Sequence, residues 1–233
     1  MITQALILVG GKASRLRAAA VDVPMSKSFH IAAGKPLLHW SLGALYAAGI
    51  RRLIIAAEQP RLLHAAEKVV RAHPCRFDRV VYFQDLGNGV HGLPYELRYL
   101  LDEVFLFECG HSIQRPEHYR QLMQAAHSRR IVFSAYRPHP DTPRQPVALH
   151  GNKVRGLNPN GGWVIAHPIA AHNAYAAGLI EHGFAITGII SHHARQGTLW
   201  CIPSTMPAEY DIPAEMTEAI HIYEHYIAES ATL

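Results

Sequence analysis

The sequence predicts an α/β fold: a mostly parallel sheet with helices on both faces. Three observations predict it. Short apolar runs alternate with stretches of helical period, the first run closes on a glycine pair, and a hairpin signal appears only in the later half. Ala5–Val9 is unbroken and apolar before Gly10-Gly11, as a strand buried on both faces would be. Leu37–Ala48 has helical period and stops at Gly49, a residue suited to a left-handed cap. Arg52–Ala57 reads as a second buried strand, and Pro60–Ala72 as a helix with proline at its first position. Arg79–Phe83 reads as a strand, Tyr95–Leu101 as a helix and Val104–Glu108 as a strand, which completes the βαβ order.

The pattern continues with a helix over Pro116–His127 and a strand over Ile131–Tyr136. Ala148–Val154, centred on Gly151-Asn152, predicts a hairpin, so the C-terminal half is mixed rather than wholly parallel. Ile169–Glu181 reads as a helix, Thr198–Ile202 as a strand, and a last helix runs from about Pro213 to Ala228. No repeat or low-complexity tract interrupts the chain. The proline-rich segment Arg137–Pro146 is a loop and the best place for a boundary. One domain over residues 1–233 is expected.

Composition narrows the function. With 49% hydrophobic and 17% charged residues the chain belongs with globular proteins, and no apolar run approaches the roughly 20 residues of a membrane helix. A cytoplasmic protein that engages no membrane is expected. The net charge of +4 is spread along the chain rather than gathered into a stripe, which argues against a nucleic-acid surface. Cys75, Cys109 and Cys201 lie far apart with no CxxC spacing, so neither a disulfide framework nor a thiol zinc site is suggested. The 17 histidines follow no zinc-finger or HExxH spacing.

The chemistry concentrates near the N-terminus. A strand that ends in Gly10-Gly11 exposes backbone N–H groups at the carboxyl edge of the sheet, where open α/β sheets bind ligands. Arg15 follows closely enough to fork onto phosphate oxygens, and Lys27 can add a point charge. Read alone, the glycine pair is equally a tight turn, for GxGxxG and GxxxxGK[ST] are both absent.

Taken together, Leu8-Val9-Gly10-Gly11, Ser14-Arg15-Leu16, Lys27 and Gly34-Lys35-Pro36-Leu37-Leu38 resemble the sugar-phosphate nucleotidyltransferase family, whose pattern is LxGGxGTRL followed by PKPLLPVxGKPLL. Lys27 stands 12 residues after Arg15 and 8 before Lys35, as that pattern has it. The segment 83–89, with Gln84, Gly87 and Gly89, is similar to the family's nucleobase loop. Residues 104–112 resemble the strand that normally ends in Gly-Asp. Asn160-Gly161-Gly162 is similar to the segment beneath the sugar, and Tyr210-Asp211-Ile212-Pro213 to the segment whose Asp holds a metal.

The resemblance implies a three-layer Rossmann-like fold of GT-A type. It implies transfer of a nucleoside monophosphate from an NTP to a sugar 1-phosphate or sugar-like phosphate, with release of pyrophosphate. It also implies a magnesium ion, or manganese or another divalent metal in its place. By the same resemblance Arg15 and Lys27 are catalytic, and Leu8, Val9, Gly10, Gly11, Gln84, Gly87 and Gly89 bind the nucleotide. Asn160 and Gly162 bind the acceptor, and Asp211 and His111 hold the metal.

Four positions depart from the pattern. Ala13-Ser14 stands for Gly-Thr, Ser26 for proline, Gly156-Leu157-Asn158-Pro159 for the Glu-Lys-Pro before the acceptor segment, and His111 for the metal-binding Asp. Magnesium favours hard oxygen donors and imidazole favours softer metals, so His111 holds a softer metal, bonds a phosphate, or is structural. Asp211 reads equally as a helix cap. Glu108, three residues before His111, points to the opposite strand face and does not replace the Asp. A nucleotide-binding paralogue without turnover, serving as a partner or regulatory subunit, is the alternative reading. An enzyme acting on a non-sugar phosphate or phosphonate is a third.

Overall fold

A computed structural model describes residues 2–230 apart from 12, 24, 86–91, 127–129, 138, 140, 142–145, 159, 173–185, 208, 209 and 211, with the backbone alone for Ser14, Arg15 and Ile186. The elements are β1 (Gln4–Leu8), α1 (Ser14–Ala18), β2 (Ile31–Ala32), β3 (Lys35–Pro36), α2 (Leu37–Ala48), β4 (Arg52–Ala57), α3 (Pro60–Ala72), β5 (Arg79–Gln84), α4 (Leu93–Glu96), β6 (Val104–Cys109), α5 (Pro116–Ala125), β7 (Ile131–Tyr136), β8 (Val147–His150), β9 (Lys153–Leu157), β10 (Val164–His172), α6 (Ile186–Gln196), β11 (Leu199–Pro203) and α7 (Pro213–Ser230). Nine strands form one sheet in the order β5-β4-β1-β6-β10-β7-β11-β9-β8, and β2 pairs with β3 as a separate small ribbon.

Strand alternation divides the core into two faces. Leu6 and Leu8 pack with Phe105, Phe107, Leu93 and Leu97 on the side of α4 and α6. Ala5, Ile7 and Val9 pack with Leu38, Leu42, Leu62 and Leu122 on the side of α2, α3 and α5. A third cluster, from Leu16 and Val23 to Tyr210 and Tyr223, seats α7 against the N-terminal loop. The predicted three-layer α/β sandwich is therefore the observed architecture.

The N-terminal half follows the sequence closely because its elements carry their own stop signals. Gly49 ends α2 at φ 106, donating its N–H to the carbonyls of Leu45 and Tyr46, and Pro60 opens α3. The Gly151-Asn152 turn joins β8 to β9 as expected, with Gly151 at φ 58. Strands β4, β1 and β6 pair in parallel, with β5 beyond β4, and β11 lies parallel to β7; β10 runs against both its neighbours, and β9 runs against β11 and β8.

Two expectations need correction, and one helix was not anticipated. The helix read over Ile169–Glu181 is wrong at its start: Val164–His172 is strand β10, inserted between β6 and β7, and residues 173–185 lie outside the described residues. Its small apolar residues suit a helix by propensity, yet almost every position is buried, as a central strand requires, and tertiary context decides. The helix read over Tyr95–Leu101 is a single turn that starts earlier, at Leu93 with Pro94 in its first positions; Leu97 and Leu101 anchor the following turns. Helix α6 had no counterpart in the sequence reading.

Candidate active site

The carboxyl ends of β5, β4, β1, β6, β7 and β11 share one edge of the sheet, and β1 sits at its switch point, between β4 and β6. Gly10 and Gly11 follow β1 here, with Gly11 at φ 108. Val9 N–H donates to the Ala56 carbonyl, and Gly110 N–H donates to the Leu8 carbonyl, so the turns after β1 and β6 emerge side by side. A side chain at Gly110 would come within 3.1 Å of the Val9 and Leu38 side chains, so these would have to give way by a few tenths of an ångström.

Lys27 opens a 3-10 turn over Lys27–Phe29. The Ser26 hydroxyl, fully buried, donates to the Val9 carbonyl at 2.8 Å and ties this turn to the end of β1. Where proline would stiffen the chain, this serine fastens it instead. The Lys27 ammonium donates to the Tyr210 carbonyl and lies 4.9 Å from the centre of the Tyr210 ring. His111, 7% exposed, meets the same ring edge-on at 5.5 Å. Three distant segments thus converge: the Lys27 turn, the His111 turn and the stretch that leads into Asp211. Sequence reasoning placed Lys27 and His111 in the site but missed Tyr210 as the ring they share.

A second layer of polar contacts fixes this arrangement. Ser204 donates to Gln114 at 2.6 Å; Gln114 donates to the Pro207 carbonyl at 3.2 Å, and the Tyr223 hydroxyl to the same carbonyl at 2.8 Å. The loop before α7, which carries Tyr210, is thereby clamped to the turn after His111. No sequence motif announced Gln114, Ser204 or Tyr223.

Three residues before His111, Glu108 is wholly buried in β6; the strand ends at Cys109, so its pleat does not by itself orient His111. Its carboxylate accepts from Cys109 N–H at 2.9 Å. Burial pushes its pKa well above the ordinary value; the hydroxyls of Tyr119 and Ser112 and the Cys109 N–H oppose that shift without cancelling it.

The nucleotide-side residues fall on the same edge. Leu8 and Val9 are buried at the end of β1. Gln84, exposed, ends β5 opposite Ala57, two strands from β1 and so about 10 Å across the edge. Gly87 and Gly89 lie outside the described residues, as does Asp211, and of Arg15 only the backbone in α1 is described. On the acceptor side Asn160 is exposed in a turn closed by its N–H donating to the Asn158 side chain at 3.0 Å. The Gly162 carbonyl accepts from Arg137 at 2.9 Å.

Ala13 has φ 47, the left-handed conformation that glycine adopts freely. Ala13→Gly is expected to stabilise the fold by about 1 kcal/mol in urea denaturation. An unchanged or lowered stability would contradict the strain.

The chain matches the MobA-like NTP transferase domain over residues 5–181. It belongs to that family. No curated protein matches this NTP transferase domain. Its fold is that of solved nucleotidyltransferases. The inositol-1-phosphate CTP transferase from T. maritima superposes with a TM-score of 0.70 at 16% identity, over 94% of this chain and 95% of the other. A UTP-bound UGPase from Acinetobacter baumannii gives 0.69 at 12% identity, over 96% and 93%. A nucleotidyl transferase from Methanothermobacter thermautotroptrophicus gives 0.69 at 15% identity, over 97% and 98%. No described helix of this NTP transferase domain is long and apolar enough to cross a membrane.

Proposed function

We propose that this NTP transferase domain transfers a nucleoside monophosphate from an NTP to a phosphorylated sugar or sugar-like acceptor. An acceptor phosphate oxygen attacks the α-phosphorus. The bond from that phosphorus to the bridging oxygen breaks, and pyrophosphate leaves with the electron pair. Charge spreads over phosphoryl oxygens throughout, so the protein's task is positioning and neutralisation, and no covalent nucleophile is needed.

The observation that carries this reading is the convergence of Lys27 and His111 on Tyr210 at the carboxyl edge beside Gly10. Lys27 supplies positive charge where the α-phosphate would lie. Gly10-Gly11 presents backbone N–H groups to the remaining phosphates, and Arg15 stands in α1 shortly after them. Gln84 and the loop after it take the base, and Asn160 and Gly162 border the acceptor.

The described residues do not by themselves make a magnesium site. His111 offers nitrogen, Glu108 is wholly buried among Tyr119 and Ser112, and no group of three or more potential ligands occurs among the described residues. No step is therefore assigned to a resident metal. Asp211, next to Tyr210, is the proposed carboxylate for a cation arriving with the NTP. On this reading His111→Asp is expected to move half-maximal activity to several-fold lower magnesium, and to tighten manganese binding to the nucleotide-free protein in calorimetry. Unchanged metal dependence and unchanged manganese affinity would remove His111 from the cation's surroundings.

The direct test is pyrophosphate release with ATP, CTP, GTP, UTP and TTP, each against glucose 1-phosphate, mannose 1-phosphate and myo-inositol 1-phosphate. Release with one pair is expected. Nucleotide binding without release from any pair would instead support the paralogue that lacks turnover.

A further inference from the structure

An acceptor that carries a phosphate dianion must meet a cation, and the four residues directly before Asn160, Gly156-Leu157-Asn158-Pro159, offer none. The fold supplies one from elsewhere. Arg137, at the carboxyl end of β7, lies with its guanidinium 4.3 Å from the centre of the Trp163 ring and donates to the Gly162 carbonyl at 2.9 Å. Gly162 is required for this contact, because a side chain there would collide with the guanidinium. One N–H is thus spent on fixing the group against the acceptor segment, out of the five that a guanidinium carries.

Beside it opens a cavity of about 260 Å³. Arg137, His139, Trp163, Ser204, Glu215 and Glu218 contribute to its walls. It is bounded both by the predicted acceptor segment, through Trp163, and by the first turns of α7 just beyond Asp211. Its volume admits one small ring rather than a nucleotide. Glu215 is 6% exposed. Two carboxylates opposite a guanidinium repel a second anionic group and accept hydrogen bonds from hydroxyls.

We propose that Arg137 binds the acceptor's phosphate and that the acceptor's body, an uncharged hydroxyl-bearing ring, occupies this cavity with its hydroxyls toward Glu215 and Glu218. The inference rests on the function proposed above and deepens it: it names an arginine from β7 as the acceptor-phosphate ligand and selects monophosphates of neutral polyols over phosphates that carry a second acidic group.

The experiment separates the two readings. With the NTP and acceptor pair that releases pyrophosphate, Arg137→Gln keeps a donor for the Gly162 carbonyl and removes the charge. It should raise the acceptor KM about 10- to 100-fold and leave the NTP KM within about twofold. Arg137→Lys, which keeps the charge, should recover much of that loss. An unchanged acceptor KM, a shift confined to the NTP, or Lys no better than Gln would overturn the proposal while leaving the nucleotidyltransferase reading in place. If the wild type releases no pyrophosphate with any pair, that reading fails by itself, and tryptophan fluorescence then decides the role of Arg137. Glucose 1-phosphate and myo-inositol 1-phosphate should give a saturable change in the wild type that is absent in both Arg137→Gln and Trp163→Phe. No change in the wild type would overturn the proposal.

Discussion

Lys27→Ala is expected to lower kcat by about 10²–10³ while the NTP dissociation constant changes little. A charge matched to the developing transition state acts on the rate constant more than on ground-state binding. Because the ammonium also donates to the Tyr210 carbonyl, a structural role must be separated from an electrostatic one. Lys27→Gln keeps a donor for that carbonyl and loses the charge. Equal rate losses in the two variants indicate electrostatics; near-full activity in the Gln variant would reduce Lys27 to a tether for the loop before α7. Steady-state kinetics and calorimetric NTP titration of both variants make the comparison.

Glu108→Gln is expected to make the protein more stable at neutral pH, and not at pH 4. An unfolded chain titrates this carboxyl near 4.5, and burial raises it well above that in the fold. Folding therefore favours the protonated form. The benefit is complete below the unfolded value and is lost as pH climbs from about 4.5 through the raised folded value, at up to about 1.4 kcal/mol per pH unit. Glutamine is neutral throughout and escapes this loss. Denaturation of both proteins should give similar stabilities near pH 4 and a gap in favour of the variant that widens as pH rises to 7. A gap independent of pH, or a variant less stable at pH 7 than at pH 4 by the same amount as the wild type, would show that Glu108 is ionised in the fold and finds its charge stabilised there.

Glu108 and His111, in and just after β6, illustrate what local pattern encodes. Strand alternation predicts Glu108 and His111 on opposite faces, but β6 ends at Cys109, so His111 sits in the turn beyond the strand. Alternation does not say what each face meets. That Glu108 would be enclosed by Tyr119 from α5, and His111 by Tyr210 from beyond β11, depends on contacts between residues far apart in the chain.

The sequence by itself determined the alternation of strands and helices through β7, because those elements carry period, glycine stops and proline starts within a few residues. It also determined the spacing of Arg15, Lys27 and Gly34 that points to phosphate chemistry. Tertiary structure decided the rest. An apolar stretch such as Val164–His172 is compatible with either a helix or a strand, and only its insertion between β6 and β7 selects the strand. Ser26 became a fastener for the Lys27 turn because the fold set it against the Val9 carbonyl. Arg137 came to rest over Trp163 because Gly162 left room for it. Local periodicity records which faces are buried; which residues bury them is settled by pairing across the whole chain, and the site is made of such pairings.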